Sequence, residues 1–360
     1  MALRRSDILR LLDRMEVLLD DAFFEAVLQI RSRAQMRQLV AALDAGDIDA
    51  AFRSAGMRPG SWTTLTESVR NVYQASGAAV MAADVPARFG AMFDISNPRA
   101  EVWISKHSSE LITKINADTR ASIQTILENG LRAGRGSNST ALDIVGRISK
   151  QTGRRTGGII GLSDPQTKYV AEMRKALSGP LPVGVSGINP AGKPVKKFWI
   201  GNNGDLQSKY TLRDKRFDGT IKKAIQAGEK LADADVNRLA GRYSDRLLEA
   251  RGKTVARTEA QNALHQAAEE AMNQVVDGGW ARAEDIIGKW DAFSDLKTRS
   301  GHLAMDGQER QHGTPFNNPV TGAFLMHPGD SELGAGPEDI VNCRCVKIRK
   351  VNFAAIEMAR

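Results

Sequence analysis

The sequence predicts a mostly α-helical protein, with N-terminal and middle regions that form an extended helical bundle and a small α+β domain at the C-terminus. Through most of the first 177 residues, apolar side chains recur at three- and four-residue spacing, which is typical of amphipathic helices. Beyond Gly279 this spacing is lost, and Gly, Pro, Asn and Asp alternate with short strand-like pieces. The segregation of helices from strands indicates an α+β domain after a helical body.

The N-terminal region, residues 1–177, is predicted to contain amphipathic helices in series. A second helical stretch, broken near Gly46, follows the first. The turn MRPGSW at 57–62 precedes the next helix, which Ser61 or Thr63 is expected to cap. The apolar face of the first helix consists of Ile8, Leu11, Leu12, Met15, Leu18, Leu19 and Phe23.

Two more helices are predicted between residues 98 and 130, and a short one follows the GRGSNST turn. The polar residues expected to begin the second and third of these helices are Asp118 or Thr119, and Ser139 or Thr140. Long amphipathic helices in series favour a bundle.

Three further segments complete the predicted organisation. Residues 178–204 are rich in Gly and Pro and are predicted to form a loop or hairpin, and residues 205–250 a helical connector. The C-terminal α+β domain is assigned to residues 251–360, with two helical patterns divided near Gly252. Its predicted strands are IIGKWDAF and an irregular final strand through Val341, Cys343, Cys345, Ile348 and Val351.

Composition narrows the class of protein. Of the 360 residues, 42% are hydrophobic, which excludes broad disorder. A net charge of +8 and a pI near 9.5 suit an anionic partner such as nucleic acid or an acidic protein. We expect no signal peptide and no membrane span, because acidic residues interrupt the apolar stretches. Two cysteines are too few for a disulfide scaffold, so we expect synthesis in a reducing cytoplasm.

Four motifs follow one another toward the C-terminus. They are ARTEAQNA at 256–263, KWDAFSDLKTRSGHLAMDGQ at 289–308, PFNNPVTGAFLMHPGD at 315–330 and EDIVNCRCV at 338–346. In this order they resemble the phage head morphogenesis family, the Mu F-like minor head proteins of tailed phages. The resemblance is sharp over about the last hundred residues and looser in the helical segments upstream.

The resemblance implies a virion structural protein and not an enzyme. Such a minor head, or minor capsid, protein would be made in the host cytoplasm and would lie in the head interior or at the portal vertex. There it would act in head assembly and in DNA packaging or ejection. The implied partners are the portal protein, the major capsid protein or both, and packaged double-stranded DNA.

The two cysteines, Cys343 and Cys345, are predicted to project from one face of the final strand, because residues two apart on a strand point the same way. A shared zinc ion needs less distortion than a disulfide there. Some relatives carry Cys-x-x-Cys where this chain has Arg299 and His302, so a zinc site would be partly retained, with His302 and His327 supplying the other ligands. The alternative is two reduced thiols packed in a small core. A redox role is disfavoured, because no charged group is evidently placed to lower a thiol pKa.

The other motif residues are predicted to hold turns or a buried polar network, with Glu259 reaching His302 or Arg299.

An alternative function is that of a metal-dependent nuclease or hydrolase, although H-E-x-x-H, Walker A and G-x-S-x-G patterns are absent. A DNA-binding protein without a virion role is a third possibility. The structural motif residues are Arg257, Thr258, Glu259, Asp306, Gly307, Pro328, Gly329, Asp330 and Asn342; the hydrolase candidates are His302, Asp306, His327, Asp330 and Cys343.

Two basic stretches are candidates for contact with DNA phosphates, the alternative being a solvated surface. The first consists of Arg132, Arg135, Arg147, Lys150, Arg154 and Arg155, and the second of Lys193, Lys196 and Lys197.

Overall fold

The computed structural model describes residues 3–179 and 183–353. Its helices are α1 (Arg5–Ser32), α2 (Met36–Asp44), α3 (Ile48–Ser54), α4 (Thr63–Asp84), α5 (Pro98–Arg132), α6 (Ser137–Val145), α7 (Asp164–Ser178), α8 (Asp218–Ala227), α9 (Asp233–Asp277), α10 (Ser300–Met305) and α11 (Pro337–Ile340). Its strands are β1 (Arg147–Ile148), β2 (Arg155–Thr156), β3 (Val185–Ile188), β4 (Pro194–Lys196), β5 (Phe198–Ile200), β6 (Leu206–Ser208), β7 (Ile286–Asp291), β8 (Glu309–Gln311), β9 (Phe316–Asn317), β10 (Phe324–Leu325) and β11 (Val346–Val351).

The predicted fold class is confirmed: long helices fill the N-terminal and middle parts, and short helices and small sheets form the C-terminal part. Within the described residues, no helix has the length and apolar character needed to cross a bilayer.

The chain divides into two compact units. The first unit comprises Met1–Phe24, Trp62–Glu110 and Gly252–Arg360, and the second comprises Glu25–Ser61 and Leu111–Arg251. The start of the C-terminal domain that the sequence suggests, residue 251, lies within α9, where the chain passes from the second unit to the first.

The core of the first unit joins α4, α9 and β7 through buried apolar side chains, including Met81, Met272 and Ile286. The predicted break near Gly252 is wrong, because α9 continues through this glycine. A Cβ at Gly252 would lie 2.6 Å from Asp20 Oδ1 and 2.8 Å from Phe24 Cε2. The glycine therefore permits close packing of α1 on α9 and does not end a helix.

A three-stranded antiparallel sheet follows in the first unit, in the order β11-β7-β8. The predicted strand IIGKWDAF is confirmed as β7, whose Ile286 pairs with Val351. The final strand begins at Val346, so its predicted extension back to residue 341 is wrong. Asn342 has a φ of 54°, a left-handed conformation that turns the chain before the strand, as its proposed turn role requires.

The second unit contains α2, α3, α6, α7, α8 and the small strand pairs β1–β2, β3–β4 and β5–β6. The buried Arg31 donates to the carbonyls of Gly158, at 2.7 Å, and Ile160, at 2.9 Å. Residues 180–182 of the suggested segment 178–204 lie outside the described residues; the described remainder includes β3, β4 and β5. The suggested connector 205–250 begins with β6 before its helices.

Several helix ends differ from the sequence-based expectation. Residues 98–132 form the single helix α5, in which Thr119 Oγ1 donates to the carbonyl of Ile115 at 2.9 Å and does not cap a new helix. Trp62, not Ser61 or Thr63, stands at the N-cap of α4. Gly136 occupies that position in α6, so the expected caps at Ser139 or Thr140 are also wrong.

Candidate metal centre and motif network

The fold brings a histidine and both thiols together in the first unit. His302 Nδ1 lies 3.5 Å from Cys343 Sγ and 3.4 Å from Cys345 Sγ. All three residues are buried, and their potential ligand atoms lie within 4.8 Å of one another. Both cysteines belong to a core that includes Trp290 and Phe316, and the ring of Trp290 meets that of His302 edge to face, with centroids 5.5 Å apart.

The second ring nitrogen of His302 faces a carboxylate. Its Nε2 lies 3.6 Å from Asp339 Oδ1, and both side chains are 2% exposed. Asp339 is held in place by Asn318 Nδ2 at 2.7 Å and Thr321 Oγ1 at 2.9 Å. A carboxylate behind the imidazole favours a proton on Nε2 and leaves Nδ1 directed at the thiols, as in many metal-binding histidines.

The two thiols have opposite pKa shifts. The Cys343 thiol, which acts most strongly, and the adjacent His302 ring lower the pKa of Cys345 to about 5, although burial opposes them. The interaction with Cys345, together with burial, raises the pKa of Cys343 well above its ordinary value. The sequence-based expectation considered charged groups alone, whereas the largest cause that lowers the pKa of Cys345 is the neighbouring Cys343 thiol. Two sulfurs beside an imidazole nitrogen are a soft donor set suited to Zn²⁺.

The structure does not bring His327 to this cluster. His327 is buried, its Nε2 lies 2.8 Å from Gln266 Oε1, and its ring stacks on His265 with centroids 5.9 Å apart. Arg299 borders the cluster, and its guanidinium donates to the carbonyl of Val341. Among the described residues, the three donors that could share an ion are thus His302 and the two cysteines.

The aspartates and glycines of the motif turns bond to or shape the backbone, and they do not line an open site. Asp306 accepts from the amide of Ala292 at 2.8 Å, and Gly307 has a φ of +79°. After Pro328, Gly329 has a φ of +90°, and Asp330 accepts from the amides of Met326, at 2.7 Å, and Glu332, at 2.8 Å. The bond from the Glu332 amide to Asp330 is that of the predicted Asx turn, whereas Asp306 accepts from an amide 14 residues earlier in the chain and not from its own turn.

The ARTE segment of α9 pairs with other elements of the first unit. Arg257 makes a two-pronged ion pair with Glu16, with both distances 3.0 Å. Thr258 Oγ1 accepts from the amide of Asn342 at 3.3 Å. Glu259 Oε2 lies 2.5 Å from His107 Nε2, so the expected contact with His302 or Arg299 is wrong. Burial alone would lower the pKa of His107, but the Glu259 carboxylate raises it.

Sequence reasoning missed a second buried polar cluster on α9 and β11. Glu269 lies 2.7 Å from Lys347 Nζ and 3.4 Å from His312 Nδ1, and it also pairs with Arg349. The buried side chain of His265 lies beside them. Basic and apolar residues alternate in the VKIRKV sequence of β11, which is typical of a strand. That alternation does not indicate that the basic residues Lys347 and Arg349 are buried.

The residues of the two basic stretches lie in the second unit, in different local settings. Arg135 and Arg147 share the carboxylate of Asp143, whereas Lys150 and Arg154 are exposed near the β1–β2 pair. The others are Arg132, paired with Glu128; Arg155, bonded to the Gly146 carbonyl; Lys193 and Lys196, exposed on or beside β4; and Lys197, paired with Glu172.

Comparison with known proteins gives one family match. Residues 215–348 match the family described as Phage Mu protein F like protein. The resemblance to the Mu F-like family is therefore confirmed over this part of the chain. The matched residues include α8, α9 and the metal candidates, and they exclude both basic stretches. No curated protein and no solved structure gives a significant match.

Proposed function

We propose that this Mu F-like chain is a minor head protein of a tailed phage, located in the head interior or at the portal vertex. The observation that carries the proposal is the match over residues 215–348, the region that contains the four ordered motifs. Their contacts are those of a structural module: Arg257 pairs with Glu16, and Thr258 accepts from Asn342. Portal and major capsid proteins are the proposed partners, and packaging or ejection of DNA the proposed step.

A structural role fits these side chains better than hydrolysis does. A hydrolytic metal site needs carboxylates or imidazoles directed at an ion with a place for water. Asp306 and Asp330 instead accept backbone amides, and His327 lies against Gln266.

The proposed role predicts a defect in assembly. Lysates from phage lacking this chain should contain empty or aberrant heads in electron micrographs, and expression of the chain in trans should restore filled heads. Normal numbers of filled, infectious particles without the chain would contradict the proposal.

We further propose that His302, Cys343 and Cys345 hold a structural zinc ion. The donor set fits, because two thiol sulfurs and one imidazole nitrogen converge in a buried core, with the Asp339 carboxylate beside the imidazole. Zinc bound there would tie α10 to the turn before β11. Arg299 cannot ligate a cation, so three protein donors leave a fourth coordination position to a non-protein ligand.

Elemental analysis of the full chain tests this assignment. The full chain is required because the first unit also contains Met1–Phe24 and Trp62–Glu110. We expect about one zinc per chain in the wild type, and a large loss in Cys345→Ser. His327→Gln is the matched control and should retain zinc, because His327 lies outside the cluster. Equal zinc contents in the wild type and Cys345→Ser would contradict the site.

A further inference from the structure

A cationic cavity lies in the second unit where α5 and α7 end. Its volume is about 380 Å³, and Asn129 and Ser178 add polar groups to its wall. Ile126 and Ala171 supply apolar lining. The charged residues that line it are all basic: Arg132, Arg135, Arg174 and Lys175.

One carboxylate serves three guanidinium groups beside this cavity. The buried Asp143 lies 2.7 Å from Arg174 Nη2 and 3.0 Å from Arg147 Nη1, and it also pairs with Arg135. Arg135 Nε is buried and has no hydrogen-bond partner within the described ranges. Burial lowers the pKa of Arg174 to about 10, with Asp143 opposing and the two neighbouring arginines adding to the effect. Positive charge at this point is therefore incompletely compensated.

The wider charge balance leads to the same conclusion. Arg132 pairs with Glu128 at 3.3 Å, whereas Lys175 has no carboxylate partner among the residues that the structure describes. With Asp233 near Arg174, three carboxylates face five basic side chains. The C-terminal ends of α5 and α7 contribute roughly half a negative charge each. A surplus of about one positive charge remains, which matches the single negative charge of a phosphodiester.

We propose that this cavity binds a phosphate group, supplied by the backbone of double-stranded DNA. Guanidinium groups bind phosphate oxygens through paired N–H donors, and a lysine adds a mobile point charge. Arg174 and Lys175 lie outside both basic stretches of the sequence, yet α7 places them beside Arg132 and Arg135. The choice of DNA as the source rests on the proposed function in the phage head; the phosphate site itself does not.

Thermal melting of the full chain tests the phosphate site. The pocket variant Arg132→Ala/Lys175→Ala removes two exposed cations that do not contact Asp143, so its fold should persist. The control Arg37→Ala/Arg53→Ala removes two exposed cations of the same unit that do not line the cavity. At equal ionic strength, inorganic phosphate should raise the melting temperature of the wild type and control above that in chloride, and this increment should vanish in the pocket variant. No increment in the wild type, or an equal one in the pocket variant, would overturn the site.

Binding of a DNA duplex, measured by fluorescence anisotropy over a range of salt concentrations, tests the source of the phosphate. Each lost phosphate contact reduces the slope of log affinity against log salt by about 0.9. Because the cavity holds one phosphate, the pocket variant should lose about 0.9 from the slope and roughly tenfold in affinity near 0.1 M salt, with the control unchanged. A phosphate-dependent melting shift without any change in slope would overturn DNA as the source and assign the site to free phosphate. Heads that assemble normally without the chain would refute the proposed function separately.

Discussion

Mild acid should destabilise the first unit through the buried His265. The ring is 0% exposed, and neither of its nitrogens has a hydrogen-bond partner in the described parts of the chain. Burial is the largest cause that lowers its pKa well below the ordinary value; His327, Arg349 and Lys347 add to it, and Glu269 opposes it. The native state therefore keeps this imidazole neutral, whereas the unfolded chain protonates it near pH 6.5.

The sign and size of the effect follow from this difference. A depressed pKa means that the stabilisation is present above pH 6.5 and is lost as the pH falls below that value toward the folded-state pKa. Between pH 6.5 and 5.5, His265 alone should remove about 1 kcal/mol from the free energy of unfolding. The pKa of His327 is also lowered, chiefly by burial, so the wild type should lose more than this amount.

The variant His265→Phe isolates the contribution of His265. Phenylalanine keeps a flat ring and loses no hydrogen bond, since the imidazole nitrogens make none. Hydrogen exchange of peptides from β7 and β11, measured at pH 6.5 and 5.5 with correction for intrinsic rates, reports the opening free energy of this unit. We expect the decrease in opening free energy to be about 1 kcal/mol smaller in the variant than in the wild type. As a control, the two proteins should show the same pH dependence between pH 7.5 and 8.5. Equal losses between pH 6.5 and 5.5 would refute the reasoning.

Three further outcomes are expected from denaturant unfolding monitored by the same peptides. Glu269→Gln should lower the free energy of unfolding by about 3–5 kcal/mol, because it leaves two buried cations without their carboxylate. A decrease of less than about 1 kcal/mol would contradict the buried ion pairs. Gly252→Ala should destabilise by about 1–3 kcal/mol although alanine favours helices, because its Cβ would lie 2.8 Å from Phe24 Cε2; a stabilised variant would contradict that packing. The pKa of His107 is raised by Glu259 against burial, so this pair should stabilise the wild type below pH 6.5 and lose its effect as the pH rises through the folded-state pKa. Glu259→Gln should remove that dependence, and an unchanged pH profile would exclude the pair as its origin.

The helical body could be predicted because amphipathic spacing is a local property. The first helix and the break near Gly46 were predicted from such spacing alone, and both are present. The helix α9 does not break near Gly252. A glycine is needed there because Asp20 and Phe24, which are distant in sequence, leave no room for a Cβ atom. Asp118 likewise suggested a helix start but forms an ion pair with Arg251 at 2.7 Å. Tertiary contacts overrode the local signal in both cases.

The candidate metal centre was predicted only in part for a similar reason. Thiol and imidazole chemistry indicated His302, Cys343 and Cys345, and the fold does bring them together. The same chemistry indicated His327, but the His327 ring contacts Gln266 of α9 instead. No local sequence pattern specifies how the HPGD turn packs against that helix. Asp339 lies in the EDIVNCRC motif, yet its place behind His302 depends on Asn318 and Thr321. Local patterns identified donors, and long-range packing determined their partners.

Quantitative mass spectrometry of purified virions and proheads tests the central claim most directly. Peptides of this chain should be present at a constant low ratio to the major capsid protein, and the ratio should persist after nuclease treatment and density-gradient purification. Complete absence of the chain from both particles, in lysates where it is abundant, would contradict a role as a head protein.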